Sequence, residues 1–327
     1  MKAVKADRNL RKNVMNSNST SPAISVIMPT YNTEVSFLRT SVDSILSQTF
    51  RDFEFIIIDD GSTNGSDQYL KSIDDDRVKI IWNSENLGIT KSLNIGLKVA
   101  KGKYVARMDA DDVSLPTRFE KQFIFLEAHP NVIILGSYVK FFGENSTIFG
   151  VDIKSQSLYR IRLLFGNPGP DHPTFMMRRE TIARRHITYD ESLKYSQDYG
   201  LLVESSQYGE IAIIPEILVK KRAHGRRITI EHRTAQIDCV KIVERRLLEE
   251  LGLIVTDEEL VFHYQLRNDF LRKKNIYKSF RWFLKLIVAN YSKKKYNRIG
   301  FSFICIKYFI TGNFTGVSSL LYKAFIK

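Results

Sequence analysis

The chain has 327 residues, 43% of them hydrophobic, and a formal net charge of +13, which excludes a disordered or fibrous protein and leaves room for one large or two modest domains. The charge is uneven: residues 24–265 hold 30 basic and 34 acidic residues, whereas residues 266–300 carry a net +10. A slightly acidic main part argues against nucleic-acid binding and leaves the basic C-terminal part for contact with an anionic surface.

The first 23 residues are polar and basic, rich in Asn and Ser, and lack the apolar stretch of a secretory signal; they read as a disordered tail. Strand and helix signals then alternate. Ile24 to Met28 is a short apolar run, and Val35 to Ser47 carries Leu38, Val42, Ile45 and Leu46 on one helical face. Phe53 to Ile58 and Val78 to Trp82 are the next strands and Thr90 to Ala100 the next helix. Tyr104 to Met108 and Val132 to Leu135 follow as strands, with a helix from Pro116 to His129 between them. Strands that are apolar throughout and alternate with helices predict an α/β fold with a doubly wound, mostly parallel sheet. Ligands of such sheets bind outside the carboxyl ends of the strands.

Three of those strand ends are polar. The first strand runs into Pro29-Thr30-Tyr31-Asn32, the second into Asp59-Asp60-Gly61-Ser62, and the fourth into Asp109-Ala110-Asp111-Asp112. Carboxylates clustered at the end of a buried strand repel one another and resist desolvation, so the last cluster is badly placed for stability and well placed to hold a divalent cation. Hard oxygen ligands suit Mg2+ or Mn2+, which enzymes usually share between carboxylates and substrate phosphates. A tyrosine that can stack on a base and a carboxylate that can accept from a base N–H suit the first two clusters to a nucleotide. Asp-Gly and Tyr-Asn also make ordinary loops; their joint occurrence favours the nucleotide.

Four stretches carry a resemblance: Ser25 through Asn32; Asp59-Asp60-Gly61-Ser62-Thr63; Asn86-Leu87-Gly88 with Asn94-Ile95-Gly96-Leu97; and Gly102-Lys103-Tyr104 through Asp112. In order and approximate spacing they resemble glycosyltransferase family 2, inverting nucleotide-sugar enzymes of the GT-A fold, and the likeness runs from Ile24 to about Gly225. It implies a hexosyltransferase that uses Mn2+ or Mg2+. Pro29, Thr30, Tyr31, Asn32, Asp60, Gly88, Lys91, Arg107 and Asp109 would bind the nucleotide-sugar, Asp109 at the ribose or metal shell, and Asp111 would ligate the metal. Arg107 can instead steady the carboxylates structurally. Asn64 departs from the Asp that the family often has there.

Further along, His172-Pro173-Thr174 resembles the segment before acceptor-site elements in polysaccharide-building relatives, which would put His172 at the acceptor; it can also be an ordinary loop histidine. Tyr195-Ser196-Gln197-Asp198-Tyr199 resembles the family's Glu-Asp-Tyr motif, with Gln197 in place of the commoner acid. That makes Asp198 the general base, although a lone Asp also caps helices. Lys221 to Gly225 resembles an Arg-x-His element, which would add His224 to the metal shell. The run Lys220, Lys221, Arg222, Arg226 and Arg227 either steadies phosphates or forms a solvated loop.

Beyond this the character changes. Glu231 to Leu251 reads as a helix, and Thr256-Asp257-Glu258-Glu259 has the capping-box pattern of another. Lys274, Lys278, Arg281 and Lys285 draw a cationic stripe along a helix that also carries Ile276, Phe280, Trp282, Phe283, Leu286 and Ile287, an interfacial pattern. Phe301 to Ile310 is too short to span a bilayer. The organisation expected is a tail over 1–23, a GT-A catalytic domain over 24–230 and a basic, membrane-associating helical extension over 231–327; a helical subdomain packed on the core is the alternative.

The function that follows is metal-dependent transfer of a hexose from a nucleotide-sugar to a lipid-linked sugar acceptor. UDP stands ahead of GDP or dTDP on family frequency, with UDP-Glc or UDP-Gal as examples. Similar bacterial enzymes extend undecaprenyl-diphosphate-linked sugars for O-antigen or capsule at the inner face of the cell membrane. A sugar nucleotidyltransferase would want a Gly-rich pyrophosphate loop after the first strand. A processive synthase would want membrane spans and a Gln-x-x-Arg-Trp motif, where this chain has Lys278-Ser279-Phe280-Arg281-Trp282. A membrane or RNA adaptor leaves the carboxylates unexplained.

Overall fold

The computed structural model describes residues 21–143, 146–223, 232–266 and 275–313. The chain divides into two compact units: residues up to 152 with 169–192 and 204–227, and residues 153–168 and 193–203 with the chain from 228 onward. The short segments 153–168 and 193–203, which lie within the 24–230 range of the sequence reading, thus pack with the C-terminal helices.

The first unit is built on one nine-stranded sheet. Its strands are β1 (Ile24–Thr30), β2 (Phe53–Asp59), β3 (Val78–Trp82), β4 (Tyr104–Arg107), β5 (Val113–Ser114), β6 (Val132–Gly143), β7 (Ile148–Phe149), β8 (Met176–Arg178) and β9 (Glu210–Ala223). They run in the order β3-β2-β1-β4-β8-β6-β9-β5, with β7 on β6. The first four are mutually parallel, β8 is antiparallel to both its neighbours, and β6 and β9 are parallel. The α/β expectation therefore holds, and the antiparallel insertion of β8 makes the sheet mixed. β2 is buried at every residue, as a strand covered by helices on both faces must be. Each such Ile or Phe contributes about 1.5–3 kcal/mol by leaving water.

Helices supply that cover. Leu38, Val42 and Ile45 are the buried face of the helix Val35–Leu46, and Phe119, Phe123 and Leu126 that of Arg118–Ala128. Two motif glycines are packing residues: a Cβ on Gly96 would lie 2.5 Å from the Ile27 side chain, and one on Gly102 would lie 2.4 Å from the Ser25 amide nitrogen. In the long β6–β9 pair the register jumps from Ser137↔Ile214 to Tyr138↔Ile217. The skipped residues include Pro215, which has no N–H to give a ladder.

The second unit is helical among its described residues, with Gln156–Leu163, Arg233–Glu250, Asp257–Leu266, Ile276–Lys293 and Arg298–Asn313 around buried Leu247, Leu248, Trp282, Phe283, Leu286 and Phe301. The capping box forms as its spacing predicts: Glu259 N–H donates to Thr256 Oγ1 (3.2 Å) and Thr256 N–H to Glu259 Oε2 (3.1 Å). Of the cationic stripe, Lys285 pairs with Glu259 (2.6 Å) and Lys278 lies over the Phe262 ring (5.1 Å), while Arg281 is exposed and Lys274 lies outside the described residues. No helix among the described residues is long and apolar enough to cross a membrane.

Candidate active site

β1 lies between β2 and β4, where the strand order turns back on itself. The ladder runs one step past the strand ends, Asp60 N–H donating to Thr30 O (2.9 Å) and Met108 N–H to Ile27 O (3.0 Å), so the three polar clusters leave the sheet side by side. This is the crevice where doubly wound folds bind ligands.

Pro29 is half-buried, Thr30 is buried with its hydroxyl donating to Thr33 Oγ1 (2.9 Å), and Tyr31 is 49% exposed. Asn32 has φ +47°, a left-handed conformation that Asn tolerates better than most residues. It ties the first loop to the second: its N–H donates to Ser62 Oγ (2.9 Å), and its Oδ1 accepts the Thr63 N–H (2.8 Å). Asn64, the departure from the family's pattern, donates from Nδ2 to Thr33 O (2.9 Å), a bond that an ionised Asp cannot make.

Asp60 organises the third loop. Its buried carboxylate accepts from Asn83 Nδ2 (2.7 Å), Leu87 N–H (3.0 Å) and Gly88 N–H (2.8 Å). Gly88 has φ +89°, which favours glycine there, and Lys91 stands exposed in the first turn of the helix that follows. Asp59 beside it keeps Oδ1 buried without a hydrogen-bond partner among the described residues.

Asp109, Asp111 and Asp112 form the centre, each offering one oxygen, all within 4.8 Å of one another. Arg107, 3% exposed, pairs through Nη2 with Asp109 Oδ1; it therefore touches the acidic cluster directly. Asp112 Oδ1 accepts the Arg222 N–H (2.8 Å), whereas Oδ2 is buried without a partner among the described residues. Burial, reinforced by the charges of Asp109 and Asp111, pushes the Asp112 carboxyl well above the usual range. Three convergent hard oxygens, one of them an orphan, fit a divalent cation such as Mg2+ or Mn2+.

The basic run ending β9 is a wall of this centre. Arg222 Nε donates to Asp111 O (3.0 Å), and its guanidinium sits over the rings of Phe37 (3.9 Å) and Phe142 (4.6 Å). Lys221 pairs with Asp171 (2.6 Å); although burial works against its charge, Asp171, Asp109 and Asp112 hold its ammonium above the ordinary lysine range. The solvated-loop reading of Lys221 and Arg222 is thus excluded; Arg226, Arg227 and His224 lie outside the described residues. His172 is buried, its Nε2 2.9 Å from Tyr189 Oη. Burial, then Arg107 and Lys221, holds its imidazole well below the usual range.

Sequence reasoning missed Arg118. It is fully buried, donates from Nη2 to Arg107 O (2.8 Å) and Phe175 O (3.2 Å), and bonds Gln122 through Nε (3.0 Å). Burial, then the Arg107 charge, lowers its pKa to about 9, so it stays charged at neutral pH. It lies on a helix among ordinary polar residues, and only the long-range contact marks it out.

Asp198 belongs to the second unit. It is in the first turn of the helix Gln197–Ser205, and its Oδ2 accepts from Asn167 Nδ2 (2.9 Å). Ser196 before it has φ +67°, unusual for a non-glycine residue.

A profile of Glycosyl transferase family 2 matches residues 25–186. An uncharacterized glycosyltransferase of Haemophilus influenzae is 36% identical over 271 residues, 77% of this chain and 84% of the relative. The chain belongs to glycosyltransferase family 2. It is a glycosyltransferase that uses a nucleotide-sugar, and its fold is GT-A. Among solved structures of this fold, Staphylococcus aureus TarS 1–349 in complex with UDP-GlcNAc is 20% identical with a TM-score of 0.56, covering 81% of each chain; the chain spans 49% of the longer TarS structure. The mannosyltransferase PcManGT of Pyrobaculum calidifontis, in complex with GDP-Man and Mn2+, is 14% identical with a TM-score of 0.55 over 97% of this chain and 96% of that one. The family profile ends before Asp198, so that residue's role rests on its own surroundings.

Proposed function

We propose that this glycosyltransferase moves a hexose from a UDP-sugar, with inversion, onto the sugar of a lipid-linked acceptor such as an undecaprenyl-diphosphate-linked glycan, in building a bacterial surface polysaccharide. The observation that carries the reading is the acidic triad just past the carboxyl end of β4, the parallel neighbour of β1, braced by Arg107, Lys221 and Arg222. Asp109, Asp111 and Asp112 would hold a divalent cation, which when bound would supply positive charge against the nucleotide diphosphate. Tyr31, beside the Asn32–Ser62 tie, offers a ring for the base, and Asp60 holds the loop that carries Gly88 and Lys91. TarS with UDP-GlcNAc supports a UDP-sugar, and PcManGT with Mn2+ supports the metal.

Asp198 is the base in this reading. The acceptor oxygen forms a bond to the anomeric carbon as the bond from that carbon to the diphosphate oxygen breaks; the electron pair leaves with the nucleotide, and the acceptor proton passes to Asp198. Asn167 Nδ2 donates to Asp198 Oδ2 and so orients the carboxylate that takes the proton. His172, buried near the charges of Arg107 and Lys221, positions the Tyr189 hydroxyl.

A membrane seat follows from the helix Ile276–Lys293. Tyr277, Phe280, Leu284, Val288 and Tyr291 recur at helical spacing, and each is at least 49% exposed. An apolar stripe in a chain segment of strong positive charge suits an anionic lipid surface. The test is turnover of a panel of UDP-, GDP- and dTDP-sugars, with Mn2+ and with EDTA, on short-chain and long-chain lipid-diphosphate sugar acceptors. Metal-dependent transfer from a UDP-sugar supports the reading; preferential use of GDP- or dTDP-sugars would replace the donor.

A further inference from the structure

Next to the acidic turn, four strands of the first unit lie side by side in the order β7-β6-β9-β5. Their register sets four residues in one row across the sheet: Ile148 opposite Lys140, Lys140 opposite Lys220, and Lys220 opposite Val113. Residues paired in this way point to the same face. Two residues further along β6 and β9, and so on that face again, Phe142 stands opposite Arg222. Arg222 is the residue that bonds Asp111 O through Nε. The row is therefore continuous with the acidic triad and is built within the first unit alone.

Packing does not account for this row. Lys140 and Lys220 are exposed, and like charges side by side on strands about 4.8 Å apart repel. Among the described residues neither has an acidic partner, whereas Lys121, beside β9, pairs with Glu216 and Lys221 with Asp171. Arg222 adds a third cation, its guanidinium over the rings of Phe37 and Phe142. At the end of the row Ile148 is 61% exposed.

An anion removes the repulsion, and the compact ammonium of lysine is a common partner of phosphate. The open apolar side chain beside the lysines suits a hydrocarbon chain joined to that phosphate, so a lipid diphosphate matches the charge and the apolar surface together. The lysines lie about 6–7 Å along the strands from the level of Arg222, a gap that a sugar ring can bridge. We propose that Lys140, Lys220 and Ile148 hold the diphosphate and the first prenyl unit of a lipid-linked acceptor. The inference rests on the reading of the acceptor as lipid-linked, and it names the groups that tell such an acceptor from a free sugar.

Calorimetric titration of the full chain tests the site without turnover, with Mn2+ and UDP at saturation so that the donor site is occupied and with geranyl diphosphate, geraniol and inorganic diphosphate as probes. Geranyl diphosphate binds the parent at least ~10-fold more tightly than either of the other two. Lys140→Gln combined with Lys220→Gln weakens its binding by roughly tenfold or more, while UDP affinity stays within about twofold. Both lysines are exposed, so the double variant folds, and loss of their repulsion leaves its unfolding temperature equal to or above the parent's. Ile148→Ser weakens geranyl diphosphate and leaves inorganic diphosphate unaffected. In transfer assays the double variant raises KM for a lipid-diphosphate sugar acceptor.

Geranyl diphosphate binding that is unchanged in the double variant overturns the site. Equal affinity for geranyl and inorganic diphosphate would make it a general phosphate site and overturn the lipid assignment. Loss of UDP affinity in place of geranyl diphosphate affinity would give the lysines to the donor, and equally overturn it. A parent that transfers to lipid-diphosphate acceptors with a KM untouched by the double variant keeps the acceptor reading and loses this site; a parent that accepts only free sugars loses both.

Discussion

The main-chain N–H of Arg222 donates to Asp112 Oδ1 at 2.8 Å, joining positions 110 residues apart. The bond ties the end of β9 to the acidic turn after β4 and leaves the other oxygen of Asp112 without a partner among the described residues. A buried carboxylate beside two others is a cost to the fold that a cation removes.

Asp112→Asn keeps the acceptor oxygen for Arg222 and deletes the charge. Without metal the variant is expected to be more stable than the parent by on the order of 1 kcal/mol, and so to unfold at a higher temperature, while its affinity for Mn2+ falls at least ~10-fold. Thermal unfolding with EDTA and with excess Mn2+ checks both. A parent that is the more stable of the two in EDTA would contradict the account of Asp112.

Arg118→Met removes the Nη2 donor to the carbonyls of Arg107 and Phe175, of which the latter keeps the Arg107 N–H. A buried carbonyl that loses its donor costs roughly 1–3 kcal/mol, so a drop in the urea midpoint is expected. Because Arg107 braces Asp109, metal affinity should fall as well. Parent-like stability would mean that water or a neighbour takes over those carbonyls.

His172 gives the protein an acid-sensitive window. Its folded-state pKa is held well below the ordinary value, and in the unfolded chain it titrates near ~6.5. The stabilisation from the neutral ring is complete above that value and is lost progressively as pH falls towards the folded pKa, because the unfolded chain binds the proton more readily. Urea midpoints measured from pH 8 down to 5 should fall less steeply in His172→Gln than in the parent. Identical slopes would show that other groups govern acid sensitivity.

The parallel half of the fold and its strand-end clusters were legible because β1, β2 and β4 are unbroken apolar runs that stop abruptly at turn-formers and carboxylates. The second half was less so. β9 is interrupted by Pro215 and ends in Lys220-Lys221-Arg222, which reads locally as a solvated loop; only the pairing of Val113 with Lys220 brings it to Asp112. Arg118 and Asn167 gave no sequence signal, since their value lies in contacts with residues 11 and 31 positions away. In the stripe Lys278, Arg281 and Lys285, spacing showed which helix face is cationic. It could not show that Glu259 and Phe262 meet two of those cations.

That stripe changes the membrane test. Replacing Lys285 also breaks its pair with Glu259, whereas Phe280 and Val288 are 58% and 59% exposed. Phe280→Glu combined with Val288→Glu should weaken pelleting with phosphatidylglycerol-rich vesicles by at least ~10-fold, with the unfolding temperature little changed. Unchanged pelleting would remove this helix from the membrane contact.

The central claim is that the acidic cluster holds a cation that binds the nucleotide diphosphate, and calorimetric titration tests it most directly. UDP and GDP are titrated into the parent and into Asp111→Asn, each with Mn2+ and with EDTA. The account predicts that the preferred nucleotide binds the parent at least ~10-fold more tightly with Mn2+ and that Asp111→Asn abolishes the gain. Equal affinity in Mn2+ and EDTA, or a full Mn2+ gain in Asp111→Asn, would contradict it.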